Sequence, residues 1–295
     1  MSNTKEDIFE QTIMSNIKRK SKFIDKVQMH DNTPLFSWID LNPTELCNRT
    51  CEFCPRVDSS LYPNQNLNIS LDLCKKINNE LKDLNYKGGL VLSGYGEPML
   101  HPELIKMVKI LGDEVHLEMV TNGDKLTTQI IQELFESGLN VMVVSMYDGP
   151  HQVDAFKKIF EEAKVSEDSY ILRDRWYSIE EDYGVKLTNR AGVATEGEQS
   201  DVDLHRPCHY PFYSIMVDWN GDVMLCVQDW NKKVKMGNIA SSSLLGVWQS
   251  SGFKKYRNML KKGNRILAPC NQCNTNGTLH GANHLRSWNS KEPSK

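Results

Sequence analysis

Short apolar runs alternate with stretches of helical periodicity along the chain from residue 35 onward. The runs predict β-strands, and the stretches between them predict helices, one of which begins at Ser70 as its N-cap and carries Cys74 on its apolar face. This alternation is typical of βα units around a parallel sheet. The sequence therefore predicts an α/β fold over residues 35–192. The predicted strands cover residues 35–41, 115–120, 140–146, 170–172 and 184–188, and a further strand begins at Gly89 and runs into a glycine-rich loop that ends at Pro98.

The segments on either side of this region have different patterns. Residues 1–34 predict an N-terminal helical extension, because Ile8, Phe9, Ile13, Met14 and Ile17 recur at helical spacing. Residues 193–207 are polar and contain glycine, which predicts a linker between domains.

A second, smaller domain is predicted over residues 208–280. Two apolar runs flank Asn220-Gly221, which predicts a β-hairpin closed by a two-residue turn, and a helix follows near residues 244–260. Residues 281–295 predict a polar tail.

Composition narrows the possible functions. The 295 residues are 39% hydrophobic and 25% charged, as in ordinary globular proteins, and the net charge of −3 gives no footprint for nucleic acid or an anionic membrane. The basic cluster Lys18-Arg19-Lys20, with Lys22, predicts a solvated helix face. No signal peptide opens the chain and no apolar run approaches a membrane span, so we expect a cytoplasmic protein. Eight cysteines in a reducing compartment favour metal binding over disulfides.

Three cysteines lie close together directly after the first predicted strand. Cys47, Cys51 and Cys54 have the spacing C-x3-C-x2-C, which suits a cubane iron-sulfur cluster with one iron left without a protein ligand. Zinc needs a fourth ligand that the loop does not obviously supply. A redox C-x-x-C pair leaves Cys47 unexplained.

The same loop resembles the signature of the radical S-adenosylmethionine (SAM) enzymes, C-x3-C-x-aromatic-C, with Phe53 in the aromatic position. The resemblance implies a partial (β/α)6 barrel in which SAM chelates the open iron of a [4Fe-4S] cluster. One electron, supplied by a donor such as flavodoxin or ferredoxin, then cleaves SAM to a 5'-deoxyadenosyl radical. That radical removes a hydrogen atom from a small-molecule substrate.

The resemblance extends to the loops that follow the next strands. Tyr95-Gly96-Glu97-Pro98 is similar to the family's Gly-Gly-Glu-Pro motif, with Tyr95 in place of the first glycine, and implies that Gly96 and Glu97 bind the SAM ammonium. Asn122 and Ser145 correspond to positions near the SAM ribose and methionine ends. Ordinary turn chemistry explains Asn122-Gly123 equally well, and a solvent-facing carboxylate is the alternative for Glu97.

Asn189-Arg190-Ala191-Gly192 is similar to a segment of radical SAM proteins that carry a C-terminal iron-sulfur extension. Arg190 is the candidate catalytic residue, because its guanidinium can bind SAM or substrate oxygen, or hold an alkoxide-like oxygen as the substrate loses its proton. The alternative is an arginine that bonds nearby carbonyls or carboxylates.

Four more cysteines belong to the C-terminal region. They occur in the order of one cysteine, a hairpin, a second cysteine, a helix and C-x2-C. This order resembles the SPASM/Twitch extension, and the absence of any later cysteine matches the one-cluster Twitch form. The resemblance implies a second [4Fe-4S] cluster. Zinc remains the rival on chemistry alone. The four residues are Cys208, Cys226, Cys270 and Cys273.

Three enzyme functions follow from this resemblance. The first is oxidation of an alcohol-bearing sugar, aminocyclitol or nucleotide-linked form, with the second cluster as electron acceptor. The second is epimerisation, which needs a hydrogen donor; only Cys74 is left for that role, although Tyr95 or Tyr147 can replace it. The third is modification of a peptide or protein, which the short N-terminal extension disfavours. A zinc protein without catalytic activity is the fourth possibility.

Overall fold

One eight-stranded sheet organises the molecule. The computed structural model describes residue 14 and residues 17–51, 54–175, 188–194 and 201–290. A separate pair of short strands, β1 and β2, precedes the sheet, whose strand order is β10-β9-β8-β3-β4-β5-β6-β7. The strands are β1 (Met29–His30), β2 (Thr33–Pro34), β3 (Trp38–Leu41), β4 (Gly89–Leu92), β5 (His116–Thr121), β6 (Val141–Met146), β7 (Tyr170–Asp174), β8 (Ser214–Val217), β9 (Asp222–Met224) and β10 (Lys235–Asn238).

Strands β3 to β7 are parallel, as the alternating pattern predicts. A helix connects each of them to the next, which gives an open, partial barrel. Of the sixth predicted strand, residues 184–187 lie outside the described residues. The helices are α1 (residues 17–24), α2 (Leu71–Asp83), α3 (Leu104–Leu111), α4 (Thr128–Glu136), α5 (His151–Glu162), α6 (Tyr210–Tyr213), α7 (Leu244–Trp248), α8 (Ser251–Leu260) and α9 (Ala282–Asn289).

The main core lies between the sheet and helices α2 to α5. Alternate strand residues such as Ile39 and Leu41 face these helices and are fully buried with them. Ser70 caps α2 by accepting a hydrogen bond from the Leu73 amide at 3.2 Å, as predicted. Cys74 is 0% exposed within the same core, which confirms the prediction that it is a core residue.

The opposite face of the sheet is covered partly by α1. Ile24 packs with Trp38 there, and Arg19 forms an ion pair with the fully buried Glu118. Lys20 lies over the Trp38 ring at 4.6 Å. The prediction of a solvated basic face is therefore wrong for Arg19 and Lys20, because buried carboxylates inside the partial barrel attract their charges; Lys18 is exposed. Ile8, Phe9 and Ile13 lie outside the described residues.

The predicted hairpin is present as β8 and β9, and it extends the same sheet. Strand β8 pairs in parallel with β3 and antiparallel with β9. The connection is not the predicted two-residue turn. The ends that pair are Asp218 and Asp222, so the three residues 219–221 lie between them, and the Gly221 amide donates to Asp218 O at 2.8 Å. Gly221 has φ +84° while Asn220 does not have a positive φ, which is the three-residue loop with a left-handed glycine.

The segment after residue 280 differs from the predicted polar tail. It contains α9, whose His284 is fully buried and whose Trp288 packs at 6.1 Å from Trp248. These contacts bury one face of the segment, although most of its residues are polar. Within the described ranges, no helix combines the length and apolar character that crossing a membrane requires.

Candidate active site

The loop with the first three cysteines begins six residues after β3 ends and lies at the carboxyl edge of the sheet. Its ends are held by side chains from outside the motif. Asn64 accepts from the Cys47 amide at 2.9 Å and donates to Cys47 O at 3.0 Å. The buried Arg56 donates to Tyr95 O at 2.5 Å and to Glu45 O, so it joins this loop to the loop after β4.

Arg49 fastens the middle of the cysteine loop to two other strand ends. Its guanidinium donates to both oxygens of Asp124, after β5, and to both oxygens of Asp148, after β6, at 2.5 to 2.7 Å. Bidentate pairs of this kind fix orientation as well as distance. The two hydrogen bonds with Asp148 and those with Asp124 raise the pKa of Arg49 and keep it charged. Arg49 and Arg56 are site residues that no sequence pattern identified.

The three thiols fit an iron-sulfur cluster better than a single ion. All are free and half-buried, and the Cys51 thiol lies close enough to the other two for their charges to act on it. Burial raises the pKa of Cys47 and Cys54, and raises that of Cys51 to about 12, so these thiols need a cationic partner to ionise. Among the described residues no three His, Cys, Asp or Glu side chains converge on one ion position. Cubane ligands bind different irons and so surround a volume rather than a point.

Glu97 is buried at the same edge and is not a solvent-facing carboxylate. Its Oε1 accepts from Thr121 Oγ1 at 2.7 Å and from the Met99 amide at 3.0 Å, and its Oε2 accepts from the Asn122 amide at 2.8 Å. Burial nevertheless raises the pKa of Glu97. Oε2 keeps capacity for another donor, because a carboxylate oxygen can accept more than one hydrogen bond.

Asn122 connects this carboxylate to the cysteine loop. Its side-chain amide donates to Asn48 Oδ1 at 2.9 Å, and its Oδ1 accepts from the Asp124 amide at 3.0 Å. The turn chemistry expected of Asn-Gly is therefore present. Asn122 also lies between Glu97 and the cysteine loop, within the group that the resemblance assigns to SAM.

Gly96 lies directly against the chain segment that leads into Cys47. A Cβ at this position would lie 2.0 Å from Thr44 O and 2.7 Å from Leu46 O. Only glycine allows this approach. The neighbouring Tyr95 stands in place of the first glycine of the family motif. Its buried ring packs edge-on against Trp230, with the ring centres 5.3 Å apart.

Ser145 is buried at the end of β6 and receives a hydrogen bond from Arg173 of β7 at 2.6 Å. The Arg173 Nε is buried without a hydrogen-bond partner among the described residues. Burial lowers the pKa of Arg173, and the nearby charge of Arg190 lowers it further. A cation of this kind is suited to a carboxylate, and the sequence pattern did not single it out.

The Asn189–Gly192 loop lies between the two cysteine sets. Arg190, Ala191 and Gly192 all have positive φ angles, of 48°, 55° and 86°, an unusual run for residues other than glycine. Asn189 holds the loop by donating to Gln272 O at 2.7 Å and receiving from the Asn274 amide at 3.3 Å.

The Arg190 guanidinium lies 5.1 Å from the centre of the Trp230 ring. Burial lowers its pKa, while the thiols of Cys54 and Cys273 act in the opposite direction. One cation thus lies within electrostatic reach of both cysteine sets.

The four C-terminal cysteines line one cavity. The Cys226 sulfur accepts from the Gln228 amide at 3.4 Å, and Asp229 and Arg265 also reach the wall of the cavity. Burial raises the pKa of Cys208 to about 11 and that of Cys270 to about 12, and each thiol is affected by others of the set. Four free thiols that share a cavity fit a four-cysteine cluster, as the resemblance to the Twitch form implies.

Most of the predicted site residues are brought to one edge of the sheet. Cys47, Glu97, Asn122 and Ser145 lie at neighbouring strand ends, and Arg190 lies between them and the second cysteine set. Phe53 lies outside the described residues.

Two family models match the chain. The model described as "Radical SAM superfamily" matches residues 41–171, and the model described as "Iron-sulfur cluster-binding domain" (SPASM) matches residues 208–274. The matched ranges contain the two cysteine sets.

Individual proteins that are similar to the chain agree with these two family matches. The chain is 28% identical over 245 residues to the S-adenosyl-L-methionine-dependent 2-deoxy-scyllo-inosamine dehydrogenase of Niallia circulans, covering 81% of this chain and 93% of the relative. It is also 28% identical over 110 residues to the tungsten-containing aldehyde ferredoxin oxidoreductase cofactor-modifying protein of Pyrococcus furiosus, covering 37% and 30% of the two chains. The crystal structure of BtrN in complex with AdoMet and 2-DOIA matches with a TM-score of 0.71 at 26% identity, over 85% of this chain and 98% of that one.

Proposed function

Because the chain belongs to the radical SAM superfamily and carries a SPASM-type cluster domain, we propose that this oxidoreductase converts a secondary alcohol of a cyclitol or sugar to a ketone. The substrate class rests on the Niallia circulans relative, whose name specifies 2-deoxy-scyllo-inosamine. When bound, SAM and the two [4Fe-4S] clusters supply the hydrogen-abstracting radical and accept the second electron.

One observation carries the proposal: four free cysteines of the C-terminal region line a single cavity. A cluster held there by four thiolates has no open iron and is suited to electron transfer rather than to binding a substrate. Oxidation of an alcohol to a ketone removes two electrons, one with the abstracted hydrogen atom and one afterwards. The acceptor for the second electron is what distinguishes this reaction from epimerisation.

The polar groups at the strand ends are proposed to hold SAM. Glu97 Oε2 accepts a hydrogen bond from the ammonium, and Arg173 with Ser145 binds the carboxylate, because a guanidinium and a hydroxyl at 2.6 Å form a convergent pair of donors. Asn122 positions Glu97 through its backbone amide and holds the cysteine loop through its side chain.

Arg190 is proposed to act on the substrate oxygen. Its location over Trp230 and within electrostatic reach of both cysteine sets supports this role, because an alcohol that loses a hydrogen atom near the first set and an electron to the second has to lie between them. A guanidinium there favours loss of the hydroxyl proton, because it stabilises the negative oxygen that remains. The external electron donor is proposed to be a flavodoxin or ferredoxin.

Epimerisation is the second candidate because the site contains phenols, but the described residues supply no suitable thiol beyond the seven cysteines assigned to the clusters. Cys74 lies in the core between the sheet and its helices, on the face opposite to Trp38 and Asp40. The Tyr95 hydroxyl donates to Asp229 O at 3.2 Å, which leaves it committed to a structural contact.

Turnover in deuterated water tests the proposal. Cyclitols, sugars and their amino and nucleotide-linked forms are incubated with reconstituted protein, SAM and reductant, and products are examined by mass spectrometry. A dehydrogenase gives a ketone two mass units lighter, whose carbonyl carbon bears no hydrogen, so that deuterium enters only the neighbouring carbons through later enolisation. An isomer that carries one deuterium at that carbon would replace oxidation by epimerisation.

A further inference from the structure

We propose that Arg265 raises the reduction potential of the C-terminal cluster and so fits that cluster for accepting an electron. Arg265 reaches the wall of the cavity that the four cysteines line, and it is 1% exposed. It is therefore a positioning and tuning residue that acts through the cluster rather than on the substrate.

The Arg265 guanidinium joins the two chain segments that bring the cysteines together. It donates to Arg206 O at 2.8 Å and Pro207 O at 3.0 Å, directly before Cys208. It also donates to Thr275 O at 3.1 Å and, more weakly, to Cys273 O at 3.4 Å. These four bonds fix the cation beside the thiols.

No carboxylate in the described part of the chain neutralises this cation. All the hydrogen-bond partners of Arg265 there are neutral carbonyl oxygens. Asp229 lines the same cavity, but its carboxylate accepts from the amides of Lys233 at 3.1 Å and Val234 at 2.8 Å. A fully buried arginine without a carboxylate partner is costly, and an anionic cluster held by four thiolates in this cavity would compensate its charge.

The sign of the effect follows from charge. A cubane held by four thiolates is an anion, and accepting an electron makes it more negative. A buried cation therefore stabilises the reduced cluster more than the oxidised one, and the reduction potential rises.

A second arginine acts in the same direction from a less buried position. Arg206 lies two residues before Cys208, and it donates to Thr275 O at 2.8 Å and Asn274 O at 3.2 Å, directly after Cys273. Because its side chain is only half-buried, solvent screens it more, and its effect on the cluster is smaller than that of Arg265.

The experiment measures the reduction potential of the C-terminal cluster in the reconstituted enzyme by electron paramagnetic resonance during a redox titration. SAM binds the other cluster, so the signal that SAM leaves unchanged belongs to the C-terminal one. Arg265→Gln should make its potential more negative, and Arg265→Lys, which keeps the charge, should stay closer to the wild type. Arg206→Gln should give a smaller shift of the same sign.

Arg257→Gln is the matched control. Arg257 is equally a buried guanidinium bound to carbonyls, Pro211 O at 2.7 Å and Trp248 O at 2.9 Å, but it lies between two tryptophan rings. Its replacement should leave the potential unchanged. An unchanged potential in Arg265→Gln with the cluster retained would overturn the proposal.

If Arg265→Gln fails to hold the cluster, Arg206→Gln decides: a negative shift supports charge tuning, and no shift reduces both arginines to a structural role. The link to electron acceptance rests on the proposed function, but the potential is measured without substrate. Failure to find an oxidised product therefore leaves this result intact, and the two ideas fail separately.

Discussion

Replacing Glu97 with glutamine tests the assignment of the SAM-binding edge. Glutamine keeps an acceptor for Thr121 and Met99, but its NH2 group replaces the charged Oε2, which accepts from the Asn122 amide at 2.8 Å and is proposed to face the ammonium. Loss of a hydrogen bond to a charged group costs about 1.5–3 kcal/mol. Because about 1.4 kcal/mol corresponds to tenfold in affinity, SAM binding should weaken by roughly 10- to 100-fold.

The assay is equilibrium binding of SAM to anaerobically reconstituted protein, with iron content measured in each sample. Thr121→Val is the matched control, because it removes the 2.7 Å hydrogen bond to Glu97 Oε1 and leaves the carboxylate in place. It should lower the free energy of unfolding by about 1 kcal/mol and leave SAM affinity nearly unchanged. If Thr121→Val weakened SAM binding as much as Glu97→Gln, the carboxylate would be structural only.

The pH dependence gives a second check on the same residue. Burial raises the pKa of Glu97 above its ordinary 4.5, so the charged form is lost at a higher pH than in a free glutamate. SAM affinity of the wild type should fall as pH falls through that raised pKa. In Glu97→Gln this dependence should disappear, and a wild-type affinity that rose at low pH would refute the reasoning.

Three further outcomes are expected. Burial lowers the pKa of His284 from 6.5 to about 4, so the unfolded state binds more protons than the native state between these two pH values. The free energy of unfolding should therefore fall by about 3 kcal/mol as the pH falls from 6.5 to 4. Urea titrations at pH 7 and pH 4.5 should show a smaller fall in His284→Gln than in the wild type. Gly96→Ala should cost ~1–3 kcal/mol and lower the iron content of the first site, since its Cβ would meet Thr44 O at 2.0 Å; unchanged iron and melting temperature would contradict that packing. Cys74→Ala should lower thermal stability slightly and leave product formation intact, and loss of a deuterated isomer in this variant would instead identify Cys74 as a hydrogen donor.

The repeated strands and helices were predictable because their signals are local. Apolar runs and caps such as Ser70 lie within a few residues of the elements they specify. The same holds for the hairpin, where Gly221 identified the turn, although the number of loop residues depended on a backbone angle that composition does not determine.

The contacts that assemble the site could not be predicted because they join distant segments through long side chains. Arg56 reaches the backbone of Tyr95, and Arg49 reaches Asp148, across 39 and 99 positions of sequence. An arginine looks the same in sequence whether it is solvated or clamps two loops. The prediction of a solvated face fails at Arg19 for this reason, because its partner Glu118 lies on β5, far along the chain.

The parallel pairing of β8 with β3 decides whether the C-terminal region can be separated from the rest of the fold. A domain attached only by a linker can be removed or exchanged, whereas β3 has β8 as one of its two neighbours in the sheet. Truncation before residue 208 would leave the backbone of β3, with its buried Trp38 and Ile39, as an unpaired edge that invites aggregation. The regions that carry the two cysteine sets thus share one continuous sheet, and transplanting the C-terminal region onto another barrel would require a matching first strand.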